Sequence, residues 1–452
     1  MSIISFLSKP FLNHSGRTFD KKQVTIWLVN PYGPIPSENW REYAYVILGK
    51  WHSSLAHNCV WWTSNYSHHF KKKRSQHSES VSPLFCIRFL QTTSYDKNIS
   101  FRRLLRDFTF YAQFLLRSAW SCMTSERPAC IVYTSSPLLP FLSPVIICRI
   151  LAIPVVFYEM DDWLGLLRSI FRNYPPLLRP FANLLLFFLE NAKRLELSLV
   201  DASFALSTNY LHALHKLSPS LRKKPHAVVY NSPKYDTCEE FSSGYDSLAA
   251  QLNSIKANHG LVYAIYAGSM NPTYDIESVL KCISYISLQD PKIVLLFAGT
   301  GPLSYILEPF KNIDDMVANR LFYMGSLHPR NLSDIYKISD IGICSYLKDS
   351  NVDMPDKAYD YLFNSLPVVN SLHGELKYLI EEYSAGINYE SSVPSSLAES
   401  LTRITSSAET LSGYKKRASL LGRSLLQDLQ RDKYIKLVDQ LLSASASQSR
   451  HE

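Results

Sequence analysis

The chain has 452 residues, of which 46% are hydrophobic and 13% aromatic, so it can form two or three folded domains and a disordered chain is not expected. Its eight cysteines are scattered without a C-x-x-C pair or a Cys/His spacing, which argues against a disulfide framework or zinc site and predicts reduced thiols in a cytosolic compartment. Residues 1–232 carry 27 Lys and Arg against 13 Asp and Glu, whereas residues 233–452 carry 20 against 26. Halves of opposite sign predict two domains, the first of which faces something anionic.

The first residues and the longest apolar region show no targeting or membrane-spanning pattern. Residues 1–22 lack the basic flank, apolar core and cleavage site of a signal peptide. Pro140, Pro144, Arg149 and Pro154 divide the apolar region 137–158 into pieces too short to cross roughly 30 Å of hydrocarbon. We expect a helix and a buried strand there.

Short apolar runs alternate with helical segments through the first half of the chain. Residues 24–30 form a continuous apolar run that ends in turn residues, as a strand buried on both faces does. Similar runs cover residues 58–63, 131–134, 155–158, 203–206 and 227–230. This alternation predicts a parallel sheet covered by helices on both faces.

Residues 181–200 leave two interpretations open. They combine the apolar run 184–189 with a polar surface that includes Glu190, Lys193 and Arg194. The helix is either packed in the core, which is common in α/β domains, or lies in a membrane interface. We favour core packing.

The pattern restarts after a polar segment at residues 232–258, which we predict to be the interdomain linker. Strands are predicted at residues 261–267, 293–298, 321–323, 340–344 and 367–370. Residues 397–442 are predicted to be helical with a break near Ser412 and Gly413. We therefore expect an α/β protein with one domain in residues 1–232, a second in 259–425, and a final helical segment in 426–452 that can cross back to the first domain.

Four loops at strand ends are candidate ligand sites, because ligands of open parallel sheets bind beyond the carboxyl ends of the strands. They are the loop with Gly33 and Pro34, residues 267–271 with Gly268 and Ser269, residues 298–302 with Gly299 and Gly301, and the stretch 354–380. Three of them belong to the second half. We therefore predict a phosphate-bearing nucleotide in the second domain.

Other nucleotide and catalytic motifs are missing from the sequence. Gly299-Thr-Gly301 does not continue to the third glycine of G-x-G-x-x-G, and the chain has no P-loop, no G-x-S-x-G, no H-E-x-x-H and no EF-hand loop. A dinucleotide enzyme, a P-loop NTPase, an α/β-hydrolase and a zinc protease are therefore not supported.

The stretch 354–380 is interpreted as a short helix, a strand and a second helix. Pro355 suits the first position of a helix, and Asp356 suits the positive end of the helix dipole, where an anionic ligand would also bind. Lys357 and Asp360 are three residues apart and share a face. The alternative is an ordinary βα unit with a polar helix surface.

Several motifs together resemble one family. They are Tyr266-Ala-Gly-Ser, Phe297-Ala-Gly-Thr-Gly-Pro, Tyr323-Met-Gly-Ser, and Pro355-Asp-Lys-Ala-Tyr-Asp-Tyr followed by Leu366-Pro-Val-Val-Asn-Ser and Gly374-Glu. This set, which lies within residues 24–440, resembles the retaining nucleotide-sugar glycosyltransferases of the GT-B fold, family 4. Asn30-Pro-Tyr-Gly-Pro and Trp62-Thr-Ser-Asn-Tyr-Ser-His-His-Phe resemble a subgroup that builds bacterial surface polysaccharides such as O-antigen or capsule.

The resemblance implies two Rossmann-like domains that face a cleft, and a retaining hexosyltransferase without a cofactor or metal. The donor would lie on the second domain, near Gly268, Ser269, Gly299, Gly301, Asp356 and Asn370. A saccharide or polyprenyl-diphosphate-linked acceptor would lie on the first domain. Backbone N–H groups and basic side chains that bind the leaving diphosphate would make the main contribution to catalysis. A cytoplasmic enzyme, peripheral on the inner face of the plasma membrane, is expected.

The chain departs from the family pattern at the cations and at one acid. Asp360 matches the second acid of the family's E-x7-E pair, but the first position is Val352, with Asp353 next to it. The family's Arg is Ser269 here, and its Lys is replaced around Tyr274. We predict that Lys357 supplies the missing charge; the alternatives are a solvated Lys357 or a weakened or inactive relative.

Residues of the first domain complete the predicted site. Asp162 follows a strand and resembles an acid that orients a sugar hydroxyl, although it could equally cap the next helix. His68 and His69, with Gly33 and Pro34, are assigned to the acceptor rather than to catalysis or metal binding.

The predicted function is transfer of a sugar from a nucleotide diphosphate to a saccharide or lipid-linked saccharide. The basic groups Lys71–Arg74, Arg102–Arg103 and Arg222–Lys224 could contact anionic headgroups of a membrane or keep the domain soluble. A non-catalytic scaffold that lost part of its diphosphate clamp is the alternative. An epimerase of the same fold is disfavoured, and no nucleic-acid module is present.

Overall fold

The computed structural model describes residues 23–96, 100–124, 127–134, 143–172, 174–231, 248–289 and 292–448. Residues 135–142, which include the first part of the apolar region 137–158, lie outside these ranges, as do most of the predicted linker and the first 22 residues. Two separate parallel sheets organise the described residues, one in each half of the chain.

The first sheet has eight strands in the order β10-β9-β8-β7-β1-β2-β6-β5. Its members are β1 (Thr25–Val29), β2 (Asn58–Ser64), β5 (Ser78–Ser82), β6 (Phe85–Leu90), β7 (Cys130–Thr134), β8 (Val155–Glu159), β9 (Ala202–Ala205) and β10 (His226–Val228). All neighbours are parallel except β5, which runs antiparallel to β6 at one edge. A small antiparallel pair, β3 (Tyr66–Ser67) and β4 (Lys72–Lys73), lies in the polar and basic segment between β2 and β5.

Both faces of the first sheet are covered, because its central strands are apolar on both sides. In β1, Ile26 and Leu28 face one core and Trp27 and Val29 face the other. The helices of this half are α1 (Ala44–Ser54), α2 (Phe101–Thr124), α3 (Pro144–Ile150), α4 (Trp163–Arg172), α5 (Arg179–Ser198) and α6 (Thr208–Leu217). Helix α1 covers one face, and α2, α3, α5 and α6 cover the other.

The second sheet has six parallel strands in the order β13-β12-β11-β14-β15-β16. They are β11 (Val262–Ala267), β12 (Ile293–Ala298), β13 (Leu321–Tyr323), β14 (Ile341–Cys344), β15 (Val368–Asn370) and β16 (Gly386–Asn388). All six residues of β12 are buried, which accounts for its unbroken apolar sequence.

Helices cover both faces of the second sheet as well. They are α7 (Leu248–His259), α8 (Ile276–Gln289), α9 (Met316–Asn319), α10 (Pro329–Ile338), α11 (Asp356–Phe363), α12 (Glu375–Tyr383), α13 (Pro394–Thr405) and α14 (Ala408–Ser424). Helices α8 and α13 pack on one face, and α7, α10, α11, α12 and α14 on the other. Helix α7 lies in the segment predicted to be linker, yet Ala249 and Leu252 are buried in the core of the second domain.

The last helix, α15 (Gln427–Gln448), returns to the first domain. Tyr434, Leu437, Val438 and Leu441 are buried in the core on the α1 side of the first sheet. The Tyr434 hydroxyl lies 2.9 Å from Nε2 of His52, and both side chains are buried. The first domain therefore contains both an early and a late part of the chain.

The helix α5 does not pack as favoured from the sequence. Lys193, Glu196 and Leu197 are buried, whereas Phe181 is 72% exposed and Phe188 is 61% exposed. The apolar run therefore faces outward, and core packing of this run is wrong. No helix among the described residues is long and apolar enough to cross a membrane.

Candidate functional site

The carboxyl ends of the two sheets meet, because loops that follow strands of one sheet contact loops that follow strands of the other. Three polar contacts show this: Nη1 of Arg41 lies 2.8 Å from Oδ2 of Asp360, Asn209 donates to Asp353 over 2.9 Å, and Asn231 donates to Asp356 over 3.3 Å. Ligands of parallel sheets bind at such edges, so we place the candidate site here.

Two glycine loops of the second domain are joined by main-chain hydrogen bonds. The N–H of Gly268 donates to Ala298 over 2.9 Å, and the N–H of Met270 donates to Thr300 over 3.0 Å. Gly299 has φ +132°, and a Cβ there would lie 1.9 Å from the carbonyl oxygen of Gly268. A side chain at position 299 would therefore separate the two loops.

Lys357 lies beneath the first of these loops with its ammonium group buried. A Cβ on Gly268 would be 3.1 Å from Nζ of Lys357. Among the described residues, Nζ has no hydrogen-bond partner, and it lies 3.9 Å from the ring centre of Tyr266, 4.9 Å from that of Tyr274 and 5.2 Å from that of Tyr346. We call these three rings and Lys357 the tyrosine cage.

The electrostatics of the tyrosine cage favour an anion. Burial lowers the pKa of Lys357 to about 8, and the neighbouring Cys344 opposes this shift. The rings supply cation–π attraction, but a buried ammonium group without a carboxylate remains poorly compensated. An anionic group bound above Gly268 would raise this pKa and satisfy the charge.

Helix α11 begins at Asp356, one residue later than predicted. Pro355 is the N-cap residue with extended backbone, and Asp356 occupies the first turn. Asp356 is exposed at the interdomain edge, whereas Lys357, one residue later, points inward. The helix start thus presents its N–H groups and its buried cation at the same edge.

Asp360 lies on α11 but is held by the first domain. Its side chain is paired with Arg41 at 2.8 Å and is 21% exposed. Burial raises the pKa of Asp360 to about 6, while the Arg41 guanidinium opposes the rise. In this structure Asp360 therefore joins the two domains.

The remaining donor-site predictions divide in two. Ser269 is exposed on the first glycine loop, and Gly301 packs against the backbone of Met270, so both belong to the loop edge. Asn370 does not: it is fully buried, and its amide is bonded to Leu372 and Asn388. These bonds give Asn370 a structural role at the end of β15, and direct donor contact by Asn370 stays a prediction.

Asp353, which stands next to the position of the missing family acid, also has a structural function. Oδ1 of Asp353 accepts hydrogen bonds from Asn209 over 2.9 Å and from the N–H of Glu375 over 2.7 Å. Glu375 itself accepts from the N–H and hydroxyl of Thr208 and from the hydroxyl of Tyr230. These acids connect the domains.

Asp162 caps helix α4, whereas its neighbour Asp161 interacts electrostatically with Asp356 of the second domain. Oδ1 of Asp162 accepts the N–H of Gly165 over 2.8 Å, which is an N-cap bond. Asp161 is exposed at the edge; partial desolvation, followed by the carboxylate of Asp356, raises the pKa of Asp161 to about 6. Of the two roles open for Asp162, the structure shows the capping role.

The two adjacent histidines have different surroundings. The ring of His68 bonds to the hydroxyl of Tyr95, and burial with Lys71, Arg103 and Arg106 lowers the pKa of His68 to about 3. His69 is exposed and packs on Trp40 with 4.5 Å between ring centres. His68 is therefore a neutral member of a basic pocket, whereas His69 lies beside it.

Gly33 and Pro34 shape the turn that follows β1. Gly33 has φ +104°, and a Cβ there would overlap the ring of Tyr43 at 2.1 Å. Its carbonyl oxygen accepts a hydrogen bond from Arg74 over 2.8 Å, and Pro34 is half-buried beside it. This packing explains the glycine without a ligand, and acceptor contact at these two residues stays a prediction.

A basic and aromatic cluster lies next to this turn, and we call it the Arg103 cluster. The guanidinium of Arg106 lies 4.1 Å from the ring centre of Tyr32, and that of Arg103 lies 5.2 Å from the same ring. Asp107 is paired with Arg106 at 2.8 Å. Lys71 and Trp163 complete the cluster, and Nε1 of Trp163 is buried without a hydrogen-bond partner among the described residues. Its cations outnumber its single carboxylate, which suits an anionic group.

Some of these residues were not predicted from the sequence. Arg41, Asp161, Arg106 and the three cage tyrosines stand in elements far apart in the chain, without a shared motif. A buried cation facing a glycine loop could have suggested aromatic neighbours, but not which ones. Among the described residues, no group of three or more metal-binding side chains is found.

The structure is similar to solved structures of known proteins. Sucrose-phosphate synthase from Thermosynechococcus elongatus has a TM-score of 0.65 and 14% identity, covering 93% of this chain and 100% of that chain. Trehalose-6-phosphate synthase from E. coli, bound with UDP-2-fluoro glucose, has a TM-score of 0.65 and 12% identity, covering 92% and 99%. Anabaena HepE in complex with UDP-glucose has a TM-score of 0.59 and 13% identity, covering 93% and 100%. No protein-family model and no curated protein matches the sequence.

At 12 to 14% identity, this likeness shows the fold. The predicted α/β fold class, with two Rossmann-like domains that face a cleft in the GT-B architecture, is confirmed. The match extends over nearly the full length of each of these chains. It therefore includes both domains and the edge where they meet.

Proposed function

We propose that the protein is a nucleotide-sugar-dependent glycosyltransferase that transfers a sugar to a saccharide or lipid-linked saccharide. The single observation that carries the proposal is the tyrosine cage: Nζ of Lys357 is buried without a hydrogen-bond partner in the described residues and lies beneath Gly268. A diphosphate placed on this loop would compensate that charge. The nucleotide sugar is therefore assigned to the second domain.

The proposed chemistry is electrostatic stabilisation of the leaving diphosphate. Charge develops on the diphosphate as the glycosidic bond to the sugar breaks, and donors already in place stabilise it most. Lys357 and the N–H groups at the start of α11 would supply these donors. Asp360 and Asp161 would orient hydroxyl groups of the substrates at the same edge, and no metal or cofactor is required by this scheme.

The donor base is proposed from the solved structures. Two of the similar proteins were solved with UDP-glucose or a fluorinated UDP-glucose. We therefore assign a UDP-sugar as the first donor to test on this chain. The sequence motifs add retention of configuration, the family 4 grouping and a role in bacterial surface polysaccharide synthesis to the proposal.

The Arg103 cluster supports an anionic acceptor on the first domain. Arg103, Arg106 and Lys71 surround the rings of Tyr32 and Tyr95, and Asp107 is the acid paired there. A phosphate or diphosphate that carries a saccharide would match this charge. We propose that a lipid-linked saccharide is held at this cluster.

A thermal-shift panel of UDP-, GDP- and ADP-sugars tests the proposal. A ligand at about 100 times its Kd stabilises the folded state by about 2.7 kcal/mol, so one base should raise Tm clearly above the others. Without ligand, Lys357→Met should unfold at about the Tm of the unaltered protein, because the cost of burying the ammonium group is removed. It should lose most of the Tm shift that the ligand causes. Lys377→Met, at a half-exposed lysine of α12, serves as the matched control.

A non-catalytic nucleotide-sugar-binding protein is the second candidate. Two observations favour it: Ser269 stands where the resembling family has a cation, and Asp360 is paired with Arg41. Stabilisation by a nucleotide sugar without hydrolysis or transfer to any lipid-linked acceptor would support this candidate. Absence of stabilisation by every nucleotide sugar would overturn both candidates.

A further inference from the structure

The helices on one side of the first sheet expose an unusual amount of apolar surface. Large hydrophobic side chains are exposed at 26 positions of the described residues, and 20 of these lie between Phe101 and Leu199. Helices α2, α3 and α5 all pack inward on the same sheet face through residues such as Phe114, Cys148 and Leu197. Their outer sides therefore form one surface, which we call the apolar face.

Helix α5 contributes a continuous stripe to the apolar face. Phe181, Leu184, Leu185, Phe188 and Leu195 recur at helical spacing and are between 51% and 72% exposed. The opposite side of the helix is buried against the sheet. One side of the helix therefore faces the sheet, and the side chains of its outer stripe remain more than half exposed.

Helices α2 and α3 extend the surface. On α2, Phe101 is 79% exposed, Trp120 is 69% exposed and Met123 is 81% exposed, and Ile150 on α3 is 73% exposed. Monomeric soluble proteins rarely expose contiguous apolar patches of more than a few hundred Å², and larger patches mark interaction surfaces. Three helices with outward Phe, Leu, Trp and Met form such a surface.

The exposed charges of α2, α3 and α5 are mostly positive among the described residues. The exposed arginines of these helices are Arg102, Arg117, Arg149, Arg179 and Arg194, and Arg172 ends α4 just before α5; Arg149 is paired with Asp201. The acids of these three helices are Asp107, Glu190 and Glu196; Asp107 and Glu196 are buried, and Glu190 is paired with Arg168. Charge complementarity therefore favours an anionic occupant.

The apolar face is also continuous with the Arg103 cluster. Arg103 stands at the start of α2 between Phe101 and Leu104, which are 79% and 53% exposed. An amphiphile with an anionic head and an apolar tail would place its head at the cluster and its tail along the helix. A bilayer presents many such molecules side by side. A protein partner would not require a basic cluster next to an apolar helix surface.

We propose that the apolar face docks the protein on an anionic lipid bilayer, with α2 and α5 lying in the plane of the interface. Apolar side chains would enter the headgroup and acyl boundary, and the surrounding arginines would contact lipid phosphates. No described helix can span the bilayer, so the docking is peripheral. Vesicle binding needs neither donor nor turnover, and the inference is therefore independent of the proposed activity.

Co-sedimentation of the full chain with vesicles tests the inference. We expect binding to vesicles of phosphatidylcholine and phosphatidylglycerol, weaker binding to phosphatidylcholine alone, and weakening by salt. Phe181→Ser with Phe188→Ser should lower vesicle affinity by about tenfold or more, because two large apolar side chains no longer insert. The control is Tyr378→Ser with Leu420→Ser, at side chains of the second domain that are 60% and 57% exposed.

Two further measurements separate docking from other causes. Trp120 emission should shift to the blue on adding vesicles, and Trp120→Phe should remove that shift. Without ligand, the Phe181/Phe188 variant should unfold at a Tm close to that of the unaltered protein, which reports that it is folded independently of the proposed function. No vesicle binding by the unaltered protein, or equal loss in the control, overturns the inference. So does a dimer in solution that the Phe181/Phe188 variant converts to a monomer without any vesicle binding by either.

Discussion

A single buried charge determines what the candidate site can bind. Lys357 is 8% exposed and surrounded by three tyrosine rings, and no acid neutralises it in the described residues. Charges in such places are retained only when a ligand or another group compensates them. We therefore expect the site to hold an anion.

The pH dependence of stability should report Lys357. Its folded-state pKa of about 8 is below the ordinary value of 10.5, so between these values the unfolded chain binds more protons than the folded chain. The unaltered protein should gain stability on the order of 3 kcal/mol relative to Lys357→Met as pH rises through this window. Urea unfolding at several pH values measures the difference, and equal pH profiles would contradict the assignment.

Nucleotide affinity should change in the opposite direction. Above pH 8 the ammonium group of Lys357 loses its proton, so affinity for a diphosphate should fall by up to about tenfold per pH unit. Calorimetric titration with UDP from pH 7 to about pH 9.5 measures this slope. Lys357→Gln should bind weakly at every pH with a flat profile, whereas Lys377→Gln should keep the full slope.

The glycine loop should not tolerate a methyl group. Gly299→Ala should destabilise the protein by about 2 kcal/mol or more, because a Cβ would lie 1.9 Å from the Gly268 carbonyl oxygen at φ +132°. Gly260→Ala is the control: it has φ +61° but nothing within 4 Å, so it should cost about 1 kcal/mol. Urea unfolding compares the two, and equal losses would show that only backbone conformation matters.

For single residues, the sequence predicted which positions lie at the site better than it predicted which side chains they contact. Lys357 follows from its place at a helix start, but the cage needs Tyr266 near the end of β11, Tyr274 in the loop after β11 and Tyr346 after β14. Asn370 follows a strand like a ligand residue, yet its amide is bonded to its own strand ends. Whether a polar side chain finds hydrogen-bond partners depends on tertiary contacts, and local sequence does not determine those contacts.

Among the elements, helix ends were the least predictable. The long helical region was expected to break near Ser412 and Gly413, but both lie inside α14. The region is interrupted instead at Ser406 and Ser407 and again at Leu425 and Leu426. At the first interruption the hydroxyl of Ser407 accepts the N–H of Thr410 over 3.0 Å as an N-cap. A serine cap outweighs a single glycine in a helix interior, which costs only about 1 kcal/mol.

Helix α4 provides a test of Asp162. Asp162→Ala should destabilise the protein by about 1 kcal/mol through loss of the cap bond to Gly165, while donor affinity stays unchanged. Asp161→Asn should leave stability nearly unchanged but alter turnover and its pH profile near pH 6, where Asp161 titrates. A loss of turnover in Asp162→Ala larger than in Asp161→Asn would restore the catalytic role predicted from the sequence.

The periodicity of α5 was visible in the sequence, but its orientation was not. A stripe of Leu and Phe is the same whether it meets a sheet or a bilayer. The structure resolves this through Lys193 and Glu196, which bond to each other over 3.0 Å on the inner side, with Lys193 3.8 Å from the ring centre of Phe157. Here the ion pair faces inward and the apolar residues face outward. The usual preference of charged residues for the surface and of apolar residues for the core would not predict this.

At the scale of the whole molecule, the alternation of strands and helices was sufficient to predict the fold class. Both parallel sheets follow from short apolar runs separated by helices, and most predicted strands lie within a residue or two of those observed. Strands β5, β6 and β16 were missed: β5 is polar, Arg88 interrupts the apolar run of β6, and β16 is short. Non-local contacts between the domains left no pattern in the sequence.

The interdomain contacts should control how far the domains separate. Glu375→Ala removes the acceptor of three hydrogen bonds from Thr208 and Tyr230, so the ligand-free protein should be more open and more sensitive to proteolysis. Small-angle scattering of the variant should show a larger radius of gyration that decreases on adding a UDP-sugar. An unchanged radius would show that other contacts are sufficient. Glu381→Ala, on the same helix, is the control.

The return of α15 has a consequence for how the protein is made. Tyr434 packs 5.2 Å from Phe204 between ring centres, so a chain emerging from the ribosome completes its second domain before it can close the core of its first. Until translation ends, one face of the first sheet near β9 stays uncovered. Nascent chains stalled before residue 427 should therefore recruit chaperones to the half that was synthesised earliest.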